Sequence, residues 1–168
     1  MERFLVSSSG RTLDFDSRGC GSNPRTRTKL IERNFMNYVC YVFVRHLPHT
    51  LNAGKLAAQV HHAGTQLVWF VENNSKMSSY LNSKGFGTTI VLEAENKENT
   101  QEQIERIVNK ANIAGFNCGL IIDPSYPVDF ELTCECLTCG YILLDKDAED
   151  EYTKGILNDI QTNWRLYK

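Results

Sequence analysis

No run of apolar residues in this 168-residue chain approaches the roughly 20 needed to cross a bilayer, so a helical membrane protein is not expected. No secretory signal pattern opens it. A reducing, cytoplasmic setting is therefore expected, and a disulfide framework is not. After residue 35 there is no internal repeat and no low-complexity tract, so that region reads as one domain. Neither charge sign is in strong excess: 18 Lys and Arg face 20 Asp and Glu, a net charge of −2. The pervasive basic character of most nucleic-acid binders is thus missing. The thiols Cys134, Cys136 and Cys139 lack a second Cys/His pair at matching spacing. A zinc site there would need a fourth ligand from elsewhere, so neither metal nor cofactor is expected.

What is present is ordinary for a globular domain: 42% hydrophobic and 23% charged residues. The length suits a single core. Residues 1–35 differ from the rest. They hold seven Arg and Lys against four Asp and Glu, with much Ser, Gly and Thr and few aliphatics. From Met36 onward the balance is eleven against sixteen, net −5. The expected organisation is a leader over 1–35, disordered or the product of an overcalled start, and a single domain over 36–168. A basic RNA-gripping arm is the alternative for the leader, weakened by Asp14 and Asp16. Cys40 and Cys118 fall inside apolar runs, where free thiols behave as small hydrophobes.

The most informative stretch is 36–64. Tyr38 to Val44 is a near-continuous β-branched and aromatic run, the pattern of a strand covered on both faces. A helix then opens at Gly54–Lys55 and runs to about Glu72. Its Lys55, Gln59 and His62 share one face, while Leu56, Val60, Ala63 and Leu67 form the core-facing stripe. Ala57, Ala58 and Ala63 are expected to let it lie close to its sheet. A short helix over Lys76–Ser83 follows, stopped by Gly85. Thr88–Leu92 is a second strand. Thr100, paired with Gln103, is expected to cap a helix carrying Ile104, Ile107, Val108 and Ala111, closed by Gly115. Cys118–Asp123 is a third strand, 124–137 a loop and Cys139–Leu144 a fourth strand. Asp147 is expected to cap a last helix with Tyr152, Ile156 and Ile160 on one face, before an Asn163–Tyr167 tail. This order predicts a three-layer α/β/α domain with a mixed four-stranded sheet, three strands parallel and one antiparallel.

The strand ending in Arg45, followed by Gly54-Lys55-Leu56-Ala57-Ala58-Gln59-Val60-His61-His62-Ala63, resembles the signature of the type 2 peptidyl-tRNA hydrolases. The likeness extends to the strand ending in Asp123, the approach to the last strand through Thr138, and the Leu166-Tyr167 tail. It covers residues 36–168. The resemblance implies cleavage of the ester between a peptide, or an N-blocked amino acid, and the terminal ribose of tRNA, with no obligatory metal. Carried over by position, Lys55, Asp123, His62 and Thr138 (with Thr133 as the alternative threonine) would be catalytic. Arg45, Gln59, His46 and His61 would contact substrate. A carboxylate at a strand end can take a proton from water, and an ammonium can steady the oxyanion. Gln59 and Thr138 suit water or ribose hydroxyls, and His62 a partner group or phosphate. The implied partner is the tRNA acceptor end or a related aminoacyl nucleotide, with a homodimer left open.

Three departures from the family pattern are visible. An Asp-Leu pair after the strand arginine is replaced by His46-Leu47. A small glycine-containing turn after the strand-end Asp is replaced by Pro124-Ser125-Tyr126-Pro127. A Gly-Pro after the last strand is replaced by Asp145-Lys146. All three are expected on the substrate-facing side. Without the resemblance, Lys55 reads as a solvated charge, His62 as a satisfied histidine and Asp123 as the opening of a turn. The end of a buried strand is nonetheless where α/β sheets keep functional groups. The alternatives are a same-fold hydrolase of a smaller nucleotide or aminoacyl conjugate, and a non-catalytic RNA- or protein-binding module. Because residues 1–35 carry no apolar periodicity able to dock on a core, their deletion should change unfolding free energy by no more than about 0.5 kcal/mol, the usual surface scale. Thermal melts of the full chain and of 36–168 test this, and a loss of several kcal/mol would refute it.

Overall fold

The computed structural model describes residues 37–47, 50–71, 80, 87–127 and 133–168. The chain divides into Met1–Arg33 and Asn34–Lys168, and every described residue belongs to the second unit. The expected leader and the short helix over Lys76–Ser83 lie outside the described residues, Tyr80 excepted. No helix among the described residues is long and apolar enough to cross a membrane.

The elements in order are β1 (Tyr38–Val44), α1 (Ala53–Val71), β2 (Thr88–Ala94), α2 (Thr100–Ile113), β3 (Asn117–Pro127), β4 (Thr133–Asp145), α3 (Glu151–Asn163) and β5 (Trp164–Leu166). The sheet has five described strands in the order β3-β4-β1-β2-β5, which corrects the expected four. Only β1 and β2 pair in parallel. β4 is antiparallel to both β1 and β3, and β5 is antiparallel to β2. Most pairings in the sheet are therefore antiparallel, in place of the expected three parallel strands and one antiparallel; β3 runs in the same direction as β1 and β2 but is separated from β1 by β4. The reason is β4, buried without a break from Cys136 to Leu144. A strand that apolar belongs between two partners, so it separates β3 from β1.

Side-chain alternation divides the core. Val39, Tyr41 and Phe43 of β1 pack with Ile104, Ile107 and Val108 of α2 and with Ile156 and Ile160 of α3. Tyr38, Cys40, Val42 and Val44 pack with Ala63 and Leu67 of α1 and with Tyr80. Helices thus cover both faces, as the doubly buried β1 requires. Leu56 and Val60 pack against the second cluster, so the core stripe of α1 is as its period predicts. Ala57 and Ala58, by contrast, are exposed, and only Ala63 mediates close approach.

Several boundaries move for identifiable reasons. The stretch expected as a loop over 124–137 is mostly strand. β3 extends to Pro127 and β4 begins at Thr133. Pro124 and Pro127 are tolerated because β3 is an edge strand among the described residues, with a register irregularity after Asp123. The expected Thr100–Gln103 capping pair does not form. Asn99, in the left-handed region at φ 51°, is the N-cap. The Thr100 hydroxyl instead accepts from His46 N–H, and the Gln103 amide donates to the carbonyls of Asn96 and Glu98. Asp150 rather than Asp147 caps α3, its carboxylate accepting from Thr153 N–H at 2.8 Å and from the Thr153 hydroxyl at 2.7 Å. These bonds, the side-chain one foremost, hold its carboxyl below the ordinary carboxylate range. Tyr152 faces solvent, and Thr153 takes the buried position beside Ile156 and Ile160. The tail contributes β5, whose Trp164 packs edge-on to Phe43 at 4.7 Å.

α2 approaches the sheet closely at Gly140. A Cβ there would lie 2.7 Å from Ile104 Cγ2 and 2.8 Å from Val108 Cγ2. Both are β-branched side chains, stiff at χ1, and both are buried. Gly140→Ala should therefore push α2 off the sheet and destabilise the domain by about 1–3 kcal/mol, the overpacking range. Urea denaturation measures this, and an unchanged midpoint would contradict the packing described.

Candidate active site

α1 starts beside the carboxyl ends of the parallel strands. The Asn52 side chain accepts from Lys55 N–H at 3.0 Å and caps the helix. One turn later, Gln59 is 4% exposed, and its amide joins two strands. Gln59 Nε2 donates to Asp123 Oδ2 at 2.9 Å. Gln59 Oε1 accepts from the Thr138 hydroxyl at 2.7 Å, which also lies 3.2 Å from the Ile121 carbonyl. An ionised carboxylate accepts only, so Asp123 requires the N–H end of the amide, and Thr138 must then face the oxygen end. The other Asp123 oxygen accepts from Ser125 N–H at 3.1 Å.

Two irregularities in the β3–β4 ladder make this geometry. Ile121 pairs with Cys139 but Ile122 pairs with Leu137, leaving Thr138 as the extra residue. The bulge reverses the facing of β4, so Leu137 joins the α2–α3 side of the core and Cys139 the α1 side. Thr138 is left free to reach α1. Beyond Asp123, paired with Cys136, two β3 residues stand against one on β4 before Tyr126 meets Cys134. That second bulge turns Ser125 N–H back onto the carboxylate. Bulges commonly re-aim side chains beside active sites.

Of the residues expected at the site, the structure joins Gln59, Asp123 and Thr138 by hydrogen bonds. Thr133, the alternative to Thr138, is exposed near the far end of β3. Lys55 stands one helical turn from Gln59, its ammonium 5.2 Å from the centre of the Tyr126 ring. Tyr126 is 1% exposed and donates to Thr50 Oγ1 at 3.3 Å. His62 lines, with Gln59 and Asp123, a cleft of about 570 Å³ between α1 and β3. His61 is exposed, with Nε2 3.5 Å from Thr65 Oγ1. Arg45 donates through Nη1 to the Leu137 carbonyl at 3.2 Å and to Cys136 Sγ at 3.4 Å. His46 and Arg45 border two other recesses with Lys97, one lined also by Leu51 and Tyr167 and the other by the first turns of α2. Absent from the expected set were Ser125, Tyr126, Gln66 and Trp69. The last two continue the 55-59-62 stripe of α1 at its own helical period, which was the signal available for them.

The three clustered thiols diverge. Cys139 is buried against the Gln59 carbonyl, 3.6 Å away, and burial pushes its thiol up to about 12. Cys136 faces Arg45, and Cys134 is exposed. Among the described residues no three His, Cys, Asp or Glu side chains are grouped to hold a metal ion.

Register locates the charge. Tyr38 pairs with Asp145 and Val44 with Cys139, so the acidic stretch Asp145–Glu151 departs from the end of the sheet opposite Arg45. Asp145 accepts from Asn37 N–H there. The Asp145-Lys146 departure is therefore remote from the site, contrary to expectation. At the site end stand Arg45, His46, Lys55, Lys97 and Lys168. Glu93 there is engaged by Arg165 at 2.9 Å and Lys97 at 3.9 Å, while Glu102 and Glu105 border the same recess as Arg45.

These features define a layered α/β protein with an interlocked carboxylate at the carboxyl end of its strands. The model of the family described as Peptidyl-tRNA hydrolase PTH2 matches residues 38–142, and the chain belongs to that family. Comparison with curated proteins gave no match.

Thr138→Val keeps the side-chain shape but leaves the buried Gln59 oxygen without its donor. The expected cost is about 1–3 kcal/mol, that of an orphaned buried acceptor. Denaturant titration should show it, together with a larger spread of Gln59 side-chain amide shifts by NMR. An unaltered stability would mean that the bond is dispensable.

Proposed function

We propose that the protein hydrolyses the ester joining a peptide's C-terminus, or that of an N-blocked amino acid, to the terminal ribose of tRNA. The observation that carries this reading is the Thr138–Gln59–Asp123 hydrogen-bonded chain in a member of a peptidyl-tRNA hydrolase family. Each Asp123 oxygen is steered by one N–H, and each keeps a lone pair for water. In the proposed reaction Asp123 takes a proton from water as its oxygen adds to the ester carbon. Lys55 offsets the charge of the tetrahedral oxyanion. Collapse breaks the bond to the ribose oxygen, which receives the proton back from Asp123. Gln59 and Thr138 act by aiming the carboxylate. His62 borders the acyl side of the reacting bond. Arg45, His46 and His61 are assigned to the ribose-phosphate chain, and residues 36–168 to the catalytic unit. A second reading, a hydrolase of a smaller aminoacyl nucleotide, is favoured by Glu102 and Glu105 beside Arg45, which would repel an extended phosphate chain.

Incubation with N-acetyl-aminoacyl-tRNA and with N-acetyl-aminoacyl-adenosine separates the two readings. The first predicts the higher kcat/KM on the tRNA ester, falling with salt as phosphate contacts are screened. Asp123→Asn preserves an acceptor for Gln59 but cannot take a proton, so it should lower the rate by about 10²–10⁴-fold. Lys55→Ala should cost about 10²–10³-fold, the scale of one oxyanion donor. The double variant should lose much less than the product, because the groups act as a unit. Near-full activity of Asp123→Asn on every ester would overturn the assignment. Binding of tRNA without hydrolysis of any ester would favour a binding module.

A further inference from the structure

The cleft of about 570 Å³ beside Asp123 is unlike the rest of the sheet's carboxyl end. Five consecutive residues of β3, Leu120 to Pro124, line it. Successive residues of a strand point to opposite faces, so a cleft touching all five runs along the strand's edge and not over one face. β3 is the terminal strand of the sheet among the described residues, and its outer backbone groups have no strand partner there. The opposite wall is the α1 stripe from Gln59 to Trp69. Trp69 is 79% exposed and Ile122 50%, two large apolar side chains held open to solvent on either side of one channel. Gln66 Oε1 is buried on the same wall and has no hydrogen-bond partner among the described residues.

Resting on the ester-hydrolase reading, we infer that this cleft holds the peptide half of the substrate as an added strand along β3. Among the described residues lining the cleft there is no Lys or Arg, and the one carboxylate is Asp123. The cations Arg45, Lys97 and Lys168 border recesses elsewhere, around the end of β1. The substrate is divided in the same way, into a polyanionic tRNA and a neutral acyl chain, with the scissile ester between them. Asp123 sits at the junction of the two surfaces. From Gln59 to Trp69, ten steps along the chain, α1 rises about 15 Å, the span of four or five extended residues. With its carboxyl end at Asp123, the peptide runs parallel to β3 and its amino end reaches Trp69. Main-chain hydrogen bonds to an open edge give affinity independent of sequence, as strand addition does elsewhere.

Two measurements on the full chain test this. The first is kcat/KM for acetyl-valyl-tRNA and for acetyl-tetravalyl-tRNA. The longer ester should be favoured by about tenfold, from added apolar burial and edge hydrogen bonds. That ratio should fall towards one in Trp69→Ala, and again when the amides of the peptide are N-methylated. The second is tryptophan emission. Trp164 is 4% exposed, so a shift on ligand binding reports Trp69. The neutral peptide acetyl-Val-Ala-Val-Ala-amide should produce a saturable shift, and adenosine monophosphate should not. A length ratio near one in the wild type overturns the inference. So does a shift with adenosine monophosphate and none with the peptide, which would make the cleft a base pocket. If no tRNA ester is cleaved, the hydrolase reading fails by itself. The emission titration then decides the cleft alone: saturable peptide binding supports it, and no binding overturns it.

Discussion

The Gln59 side chain is the point on which the rest of the site depends. A buried amide costs free energy unless both of its ends are paired. Here the pairing is supplied by two different strands, with Asp123 on β3 and Thr138 on β4. The bond pair therefore ties the height and rotation of α1 to two strands of the sheet. Ala63 and Leu67, one and two turns further on, are both essentially inaccessible. They hold the helix down while Gln59 sets its phase. Lys55 and His62 lie on the same stripe, so their placement follows from that phase.

Regular strands could not have provided these partners. With strict alternation Thr138 and Cys139 would face opposite sides, and Thr138 would point away from α1. The extra residue at Thr138 removes that conflict. It leaves β4 apolar on both faces from Leu137 onward while allowing one hydroxyl to reach Gln59. The second bulge does similar work for Asp123. By turning Ser125 N–H inwards it gives the carboxylate a second donor at the end of an edge strand. It also brings Tyr126 under Lys55, where the ring face attracts the ammonium. The Pro124–Pro127 departure from the family pattern thus comes with its own support for the cation.

The parts of the fold legible in the sequence were those where one physical signal acts alone. The run Tyr38–Val44 has the same limits as the strand, because a doubly buried strand needs apolar residues at every position. The face shared by Lys55, Gln59 and His62 follows from helical geometry. The place of β4 was not legible. Its Cys134–Thr138 portion is polar and thiol-rich, the prolines before it suggest a loop, and strand order is decided by burial between elements distant in the chain. The bulges were hidden for the same reason, since a register exists only when two strands are compared. Caps were misplaced where a competing bond won, as when Thr100 Oγ1 accepted from His46 rather than closing its own helix. β5 is three residues long, too short to carry a period.

The His46 departure can be read in the same terms. The family's acid at this place would stand beside Glu102 and Glu105, which border the recess that His46 shares with Arg45. A histidine removes one negative charge from that rim. Its backbone N–H is already committed to Thr100, so the exchange alters charge and leaves the joint between β1 and α2 unchanged. Arg45 is anchored by the Leu137 carbonyl, next to the Thr138 bulge, and its own N–H donates to Thr138 O at 2.9 Å. Arg45 is thus held by β4, whereas the Asp123 carboxylate is held by Gln59 of α1 and by Ser125 N–H. A change in the rim can then retune attraction for a charged substrate without moving Asp123. The charge of the rim is thus set by side chains other than Gln59 and Ser125, whose N–H groups hold the Asp123 carboxylate.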